Sequence, residues 1–161
     1  MSFNAVQKTL TFKQLNNATP DKVFPLLCPV REKDWLDGWD YEMIYSKSGL
    51  IEKNCVFSTS YPGEMDTIWH VTQHNPEKFE VEFLRVTPKE NVVRINIKLT
   101  PVGNDQTQAV IVYQYTGLSS KQNEFINGEL ESRFEESMRW WEKSINHYLE
   151  TGTVLKKQNH K

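Results

Sequence analysis

Residues 119–151 carry one apolar stripe, and it constrains the fold more than any other feature. Ile126, Leu130, Phe134, Met138, Trp141, Ile145, Tyr148 and Leu149 recur along it at steps of three or four. At about 100° per residue they fall within about 140° of arc, the pattern of one amphipathic helix. At about 1.5 Å per residue that helix is about 50 Å long, more than a small domain needs for a cap. Most of the chain before it alternates with a period of two. A long helix laid across a curved antiparallel sheet leaves a hollow between the layers, and the functional expectation rests on that hollow.

The strands are read from alternation and breakers. Val6, Lys8, Leu10 and Phe12 open a first strand over residues 3–15. Thr19-Pro20-Asp21 then starts a short helix that ends at Pro29, and a second short helix closes near Gly38. Trp39, Tyr41, Met43 and Tyr45 share one face of the next strand. Further strands are expected over residues 50–60, 66–73, 79–86, 93–99 and 109–116. They are separated by Tyr61-Pro62-Gly63-Glu64, Asn75-Pro76-Glu77, Thr87-Pro88 and Gly103-Asn104-Asp105. Short turns make successive strands antiparallel neighbours. The fold class is α+β: a curved antiparallel sheet of about seven strands wrapped around a long C-terminal helix, with two short helices after strand 1. One domain spans residues 1–152, and a polar tail follows over 153–161.

Bulk composition narrows the function. The 161 residues suit one domain with a real core. A net charge of −2 exerts no global pull toward nucleic acid. No apolar run approaches the roughly 20 residues of a membrane span, so stable membrane insertion is not expected. The start lacks the basic and apolar regions of a signal peptide, which sets the expected location as cytoplasmic. Cys28 and Cys55 read as small buried hydrophobes, and neither a cofactor nor a metal is expected.

The order of elements resembles the helix-grip fold of the START-like (SRPBCC) superfamily. Pollen-allergen-type proteins, polyketide cyclases and aromatases, and lipid-transfer domains belong to it. The resemblance covers residues 5–151. Local wording is similar to a bacterial subgroup: Val23-Phe24-Pro25-Leu26-Leu27-Cys28-Pro29-Val30-Arg31-Glu32, then Trp35-Leu36-Asp37-Gly38-Trp39, Thr67-Ile68-Trp69 and Trp140-Trp141. The resemblance implies an internal pocket for a small hydrophobic molecule. It does not imply a reaction, because one superfold hosts binders and enzymes alike.

Candidate chemistry is sparse. His70 and His74 are four apart, which on a strand separates them by about 13 Å. Asp34, Asp37, Asp40 and Glu42 surround a turn, where solvated carboxylates are ordinary. The aromatics carry more. Tyr41, Phe57, Trp69, Phe83, Tyr113, Tyr115, Phe134, Met138 and Trp141 are the expected ligand-contacting set, alongside a solid-core alternative. Arg85 joins them, because alternation places it on the inward face with Phe83 and an inward guanidinium calls for an anionic partner. Tyr61, in the breaker-rich loop, is the expected gate. The leading expectation is burial of a hydrophobic or amphipathic ligand, lipid- or polyketide-like. The alternatives are a cyclase or aromatase using the same cavity, and a protein-interaction module.

Overall fold

The structure is a computed structural model that describes residues 2–158. Residues 159–161 of the expected tail lie outside the described residues. Seven strands form one open antiparallel sheet in the order β1-β7-β6-β5-β4-β3-β2. They are β1 (Gln7–Asn16), β2 (Glu42–Tyr45), β3 (Val56–Thr59), β4 (Thr67–Asn75), β5 (Glu80–Thr87), β6 (Asn91–Val102) and β7 (Gln106–Gly117). After β1 the chain crosses through α1 (Pro20–Val23), a 3₁₀ turn (Phe24–Leu27) and α2 (Pro29–Trp35) to the far edge, then meanders back to pair β7 with β1. A register shift between Val71 and Gln73 marks a bulge in β4, a device that bends a strand.

The long strands follow burial. On β6, Val93, Ile95, Ile97 and Leu99 are buried while Arg94 and Lys98 are exposed, so one face is dry. The weaker strands are shorter than alternation suggests. Trp39 and Tyr41 precede β2 and are fixed by ring packing, with the rings of Trp39 and Tyr41 stacked at 6.5 Å. Residues 50–55 stay outside β3, where Asn54 takes a left-handed φ of 73°.

The expected single C-terminal helix is two: α3 (Ser120–Gly128) and α4 (Leu130–Thr151). Ser119 caps α3 by accepting from the Gln122 N–H at 3.1 Å. Glu129, at φ −103° and ψ −19°, interrupts the helix. A Cβ placed on Gly128 meets nothing within 4 Å, so nothing packs closely against the glycine that precedes the break. The close approach sits instead at Gly117, where a Cβ collides with the Asn123 side chain. That side chain accepts from the Val6 N–H at 3.0 Å and donates to the Asn4 carbonyl at 2.9 Å, tying α3 to the start of β1.

Leu130, Phe134, Met138 and Ile145 are the buried apolar stripe of α4. At its far end the Asn146 amide donates to the Leu15 carbonyl at 3.0 Å, and Glu142 accepts from the Leu15 N–H at 2.7 Å. Gly152 ends the helix in the left-handed conformation, at φ 72°. Trp35, fully buried, donates its indole N–H to the Leu26 carbonyl at 2.9 Å and meets Trp141 edge-on at 5.2 Å. This contact seats α2 against α4. Beyond Gly152, Leu155 bridges to Leu36, and the Asp37 carboxylate accepts from the Lys157 N–H at 3.0 Å.

Candidate functional site

Between the sheet, α2 and α4 lies a hollow that opens to solvent along the α4 flank, where Arg133, Glu136, Arg139, Lys143 and Glu150 line it; hollow and opening together measure about 1240 Å³. Its sheet wall is aromatic. Phe57 and Trp69 stack at 5.3 Å, and Phe83 meets Trp69 edge-on at 5.9 Å. This follows from antiparallel register: Phe57 pairs with Trp69, and Trp69 with Arg85 on the next strand. Ile95 and Ile97 continue the floor, Met138 and Trp141 form the helix wall, and Leu27 and Leu36 close the end under α2.

Of the sequence-expected residues, Phe57, Trp69, Phe83, Arg85, Tyr113, Met138 and Trp141 line this hollow, and Tyr61 stands at its rim. Tyr115 lines a smaller neighbouring hollow of about 250 Å³, whose wall also includes Tyr61, Trp69 and Arg85. Tyr41 and Phe134 lie outside both linings. Tyr41 packs edge-on against Phe57 at 6.5 Å, and Phe134 is buried edge-on against Tyr113 at 5.1 Å.

Arg85 separates the two hollows. Its Nη2 donates to the Tyr115 hydroxyl at 2.8 Å, while its Nε is buried without a partner. The guanidinium lies 5.4 Å from the Trp69 ring, 5.6 Å from Tyr115 and 5.9 Å from Tyr113. None of the ion pairs among the described residues includes it. Desolvation raises the Tyr113 phenol well above its ordinary range, with the Arg85 charge acting against the shift. By area Tyr113 is only half-buried.

Glu32 is a candidate that no sequence motif points to. Its carboxyl lines the hollow from α2, buried and without an ion pair among the described residues, and desolvation pushes its pKa up to about 8. The available signal is spacing: Pro29, Glu32 and Trp35 step by three, and all are buried. Burial raises the Tyr61 hydroxyl as well, with Glu32 adding to the shift and Arg85 opposing it.

The remaining candidates fall elsewhere. His70 is exposed beside Asn54 at 3.3 Å, and His74 stacks on Phe24 at 5.4 Å. Asp34 pairs with Arg31, Asp37 with Lys156 and Asp40 with Lys33. Cys28 and Cys55 are buried thiols. Among the described residues, no group of His, Cys, Asp and Glu is arranged to hold a metal ion, and no helix is long and apolar enough to cross a membrane.

A curved seven-stranded sheet gripping a C-terminal helix, with short helices closing one end, is the helix-grip fold of START-like (SRPBCC) proteins. Solved structures of low identity share it. Norcoclaurine synthase from Thalictrum flavum, in complex with dopamine and hydroxybenzaldehyde, matches with a TM-score of 0.67 at 16% identity, over 96% of this chain and 91% of its own. The Zhui aromatase/cyclase from Streptomyces sp. R1128 matches with a TM-score of 0.66 at 9% identity, over 93% of this chain and 100% of its own. The Mll3558 protein from Rhizobium loti matches with a TM-score of 0.65 at 17% identity, over 90% of this chain and 99% of its own. No protein-family model matches the sequence, and no curated protein does.

Proposed function

We propose that this protein binds a small hydrophobic or amphipathic molecule in the hollow between its sheet and α4. The observation that carries the reading is the hollow itself: about 1240 Å³ including its open side along α4, with a sheet wall of aromatic and aliphatic side chains where a solid core would close up. Burial of a ligand's apolar surface supplies the free energy, at about 25 cal/mol per Å² before the cost of association. The interaction-module alternative is favoured by a collapsed interior with an exposed apolar patch, and the hollow speaks against the first of these.

A second reading, a cyclase-type enzyme, draws on Glu32. A carboxyl kept protonated at neutral pH inside an apolar hollow is suited to donating a proton. Against it, Glu32 makes no hydrogen bond to a tyrosine of the hollow in this structure, so no acid–tyrosine pair is preassembled.

The test is titration with the fluorescent apolar probe N-phenyl-1-naphthylamine, in the wild type and in Ile95→Phe. The larger side chain fills floor space of the hollow. We expect the wild type to bind and the variant to lose about tenfold or more in affinity at an unchanged melting temperature. Equal binding by both would place the probe elsewhere and refute the reading.

A further inference from the structure

Arg85 is a cation on the wall of the hollow, and no carboxylate among the described residues forms an ion pair with it, including Glu32, the buried carboxyl that lines the same hollow. Three aromatic faces surround it, and its one side-chain hydrogen bond goes to a neutral phenol, Tyr115. Glu64 and Glu90 are the carboxylates lining the smaller hollow beside it, and neither forms an ion pair with it. Arg85 is half-buried, and its Nε is fully covered; a guanidinium partly withdrawn from water is costly unless an anion compensates it. The aromatic faces recover part of that cost but leave the buried Nε–H without an acceptor.

The geometry of those donors is informative. Tyr115 accepts from Arg85, so its own hydroxyl proton remains free to donate. The phenol and the guanidinium edge therefore offer donors side by side, the arrangement that suits the two oxygens of an acidic group. Register holds the pair in place, since Val93 on β6 pairs with both Arg85 on β5 and Tyr115 on β7.

We propose that Arg85 and Tyr115, which meet where the larger hollow adjoins the smaller one, form the anchor for an acidic group, such as a carboxylate, on a ligand whose apolar body lies in the larger hollow against Trp69 and Phe83. The inference rests on the hollow being a binding site and narrows the ligand class to aromatic or polycyclic acids, excluding neutral lipids. Arg85 orients the ligand, and the aromatic wall supplies most of the buried area.

A matched pair of probes tests the anchor separately from the hollow. 1-Anilinonaphthalene-8-sulfonate and N-phenyl-1-naphthylamine differ only by the sulfonate, which stands in for the acidic group. Arg85→Met should weaken the sulfonate probe by about tenfold to a hundredfold, the usual worth of a charge-assisted hydrogen bond, and leave the neutral probe within about twofold. Arg94→Met removes a charge from the exposed face of the neighbouring strand and should change neither. Tyr115→Phe keeps the ring and should cost the sulfonate probe alone about threefold, which carries the test if Arg85→Met does not fold. Equal losses for both probes, an unchanged sulfonate affinity in the Arg85 and Tyr115 variants, or an Arg94 effect as large as that of Arg85 would overturn the anchor. Failure of the neutral probe to bind the wild type would refute the hollow as a binding site.

Discussion

Phe134 of α4 meets the ring of Tyr113 on β7 edge-on, with centroids 5.1 Å apart and planes at 63°. Here the helix grips the sheet directly, beside the hollow and not within it. Phe134 is only 7% exposed and is absent from the cavity lining. Phe134→Ala should therefore cost about 3–5 kcal/mol, the range for truncating an aromatic in a packed core. Urea unfolding measures it, and a loss under about 1.5 kcal/mol would mean that the site is already loose.

Glu32 links stability to pH with a definite sign. Its pKa is raised from the ordinary 4.5 to about 8, so between those values the unfolded chain has released a proton that the folded chain still holds. Stability falls as pH rises across this window and levels off above it. Glu32→Gln should remove that slope and make the protein more stable than wild type near pH 8–9, by roughly 3–5 kcal/mol at most. Burial lowers the pKa of His74, which acts in the opposite direction and removes stability as pH falls below 6.5. The wild-type-minus-Gln difference isolates the Glu32 contribution. Parallel pH–stability curves would contradict the assignment.

Gly128 tests what causes the helix break. Its φ is not left-handed, and a Cβ there meets open space. Gly128→Ala should stabilise by about 0.4–1 kcal/mol, with ligand-probe affinity unchanged. A clear destabilisation in chemical unfolding would show that the break needs the glycine.

Tyr61 is 44% exposed and lines both hollows from a turn in which Gly63 takes a φ of 80°. As a gate, it should slow passage without contributing to the core. Tyr61→Ala should then speed both association and release of N-phenyl-1-naphthylamine in stopped flow by about threefold or more, at unchanged stability. Identical rates would remove the gate.

The parts of the fold legible in the sequence are those where burial on one face enforces strict alternation, above all β5, β6 and β7. The same alternation turned Arg85 inward. The helix break was hidden because Ile126, Leu130, Phe134 and Met138 step by four straight through Glu129, so both helices present one continuous stripe. Trp39 and Tyr41 alternate like strand residues but are held by ring packing outside the ladder. Glu32 was hidden because a glutamate in a short helix reads as solvated. Only the docking of α2 on α4 through Trp35 and Trp141 turns it toward the hollow.

The central claim is that ligands enter the interior. Methyl-labelled NMR during titration with N-phenyl-1-naphthylamine tests it most directly. The account predicts that the methyl groups of Ile95, Ile97 and Met138, which line the hollow, shift together and saturate at one equivalent, while exposed Ile44 and Leu50 stay fixed. Shifts confined to Ile44 and Leu50, with Ile95, Ile97 and Met138 unmoved, would contradict it.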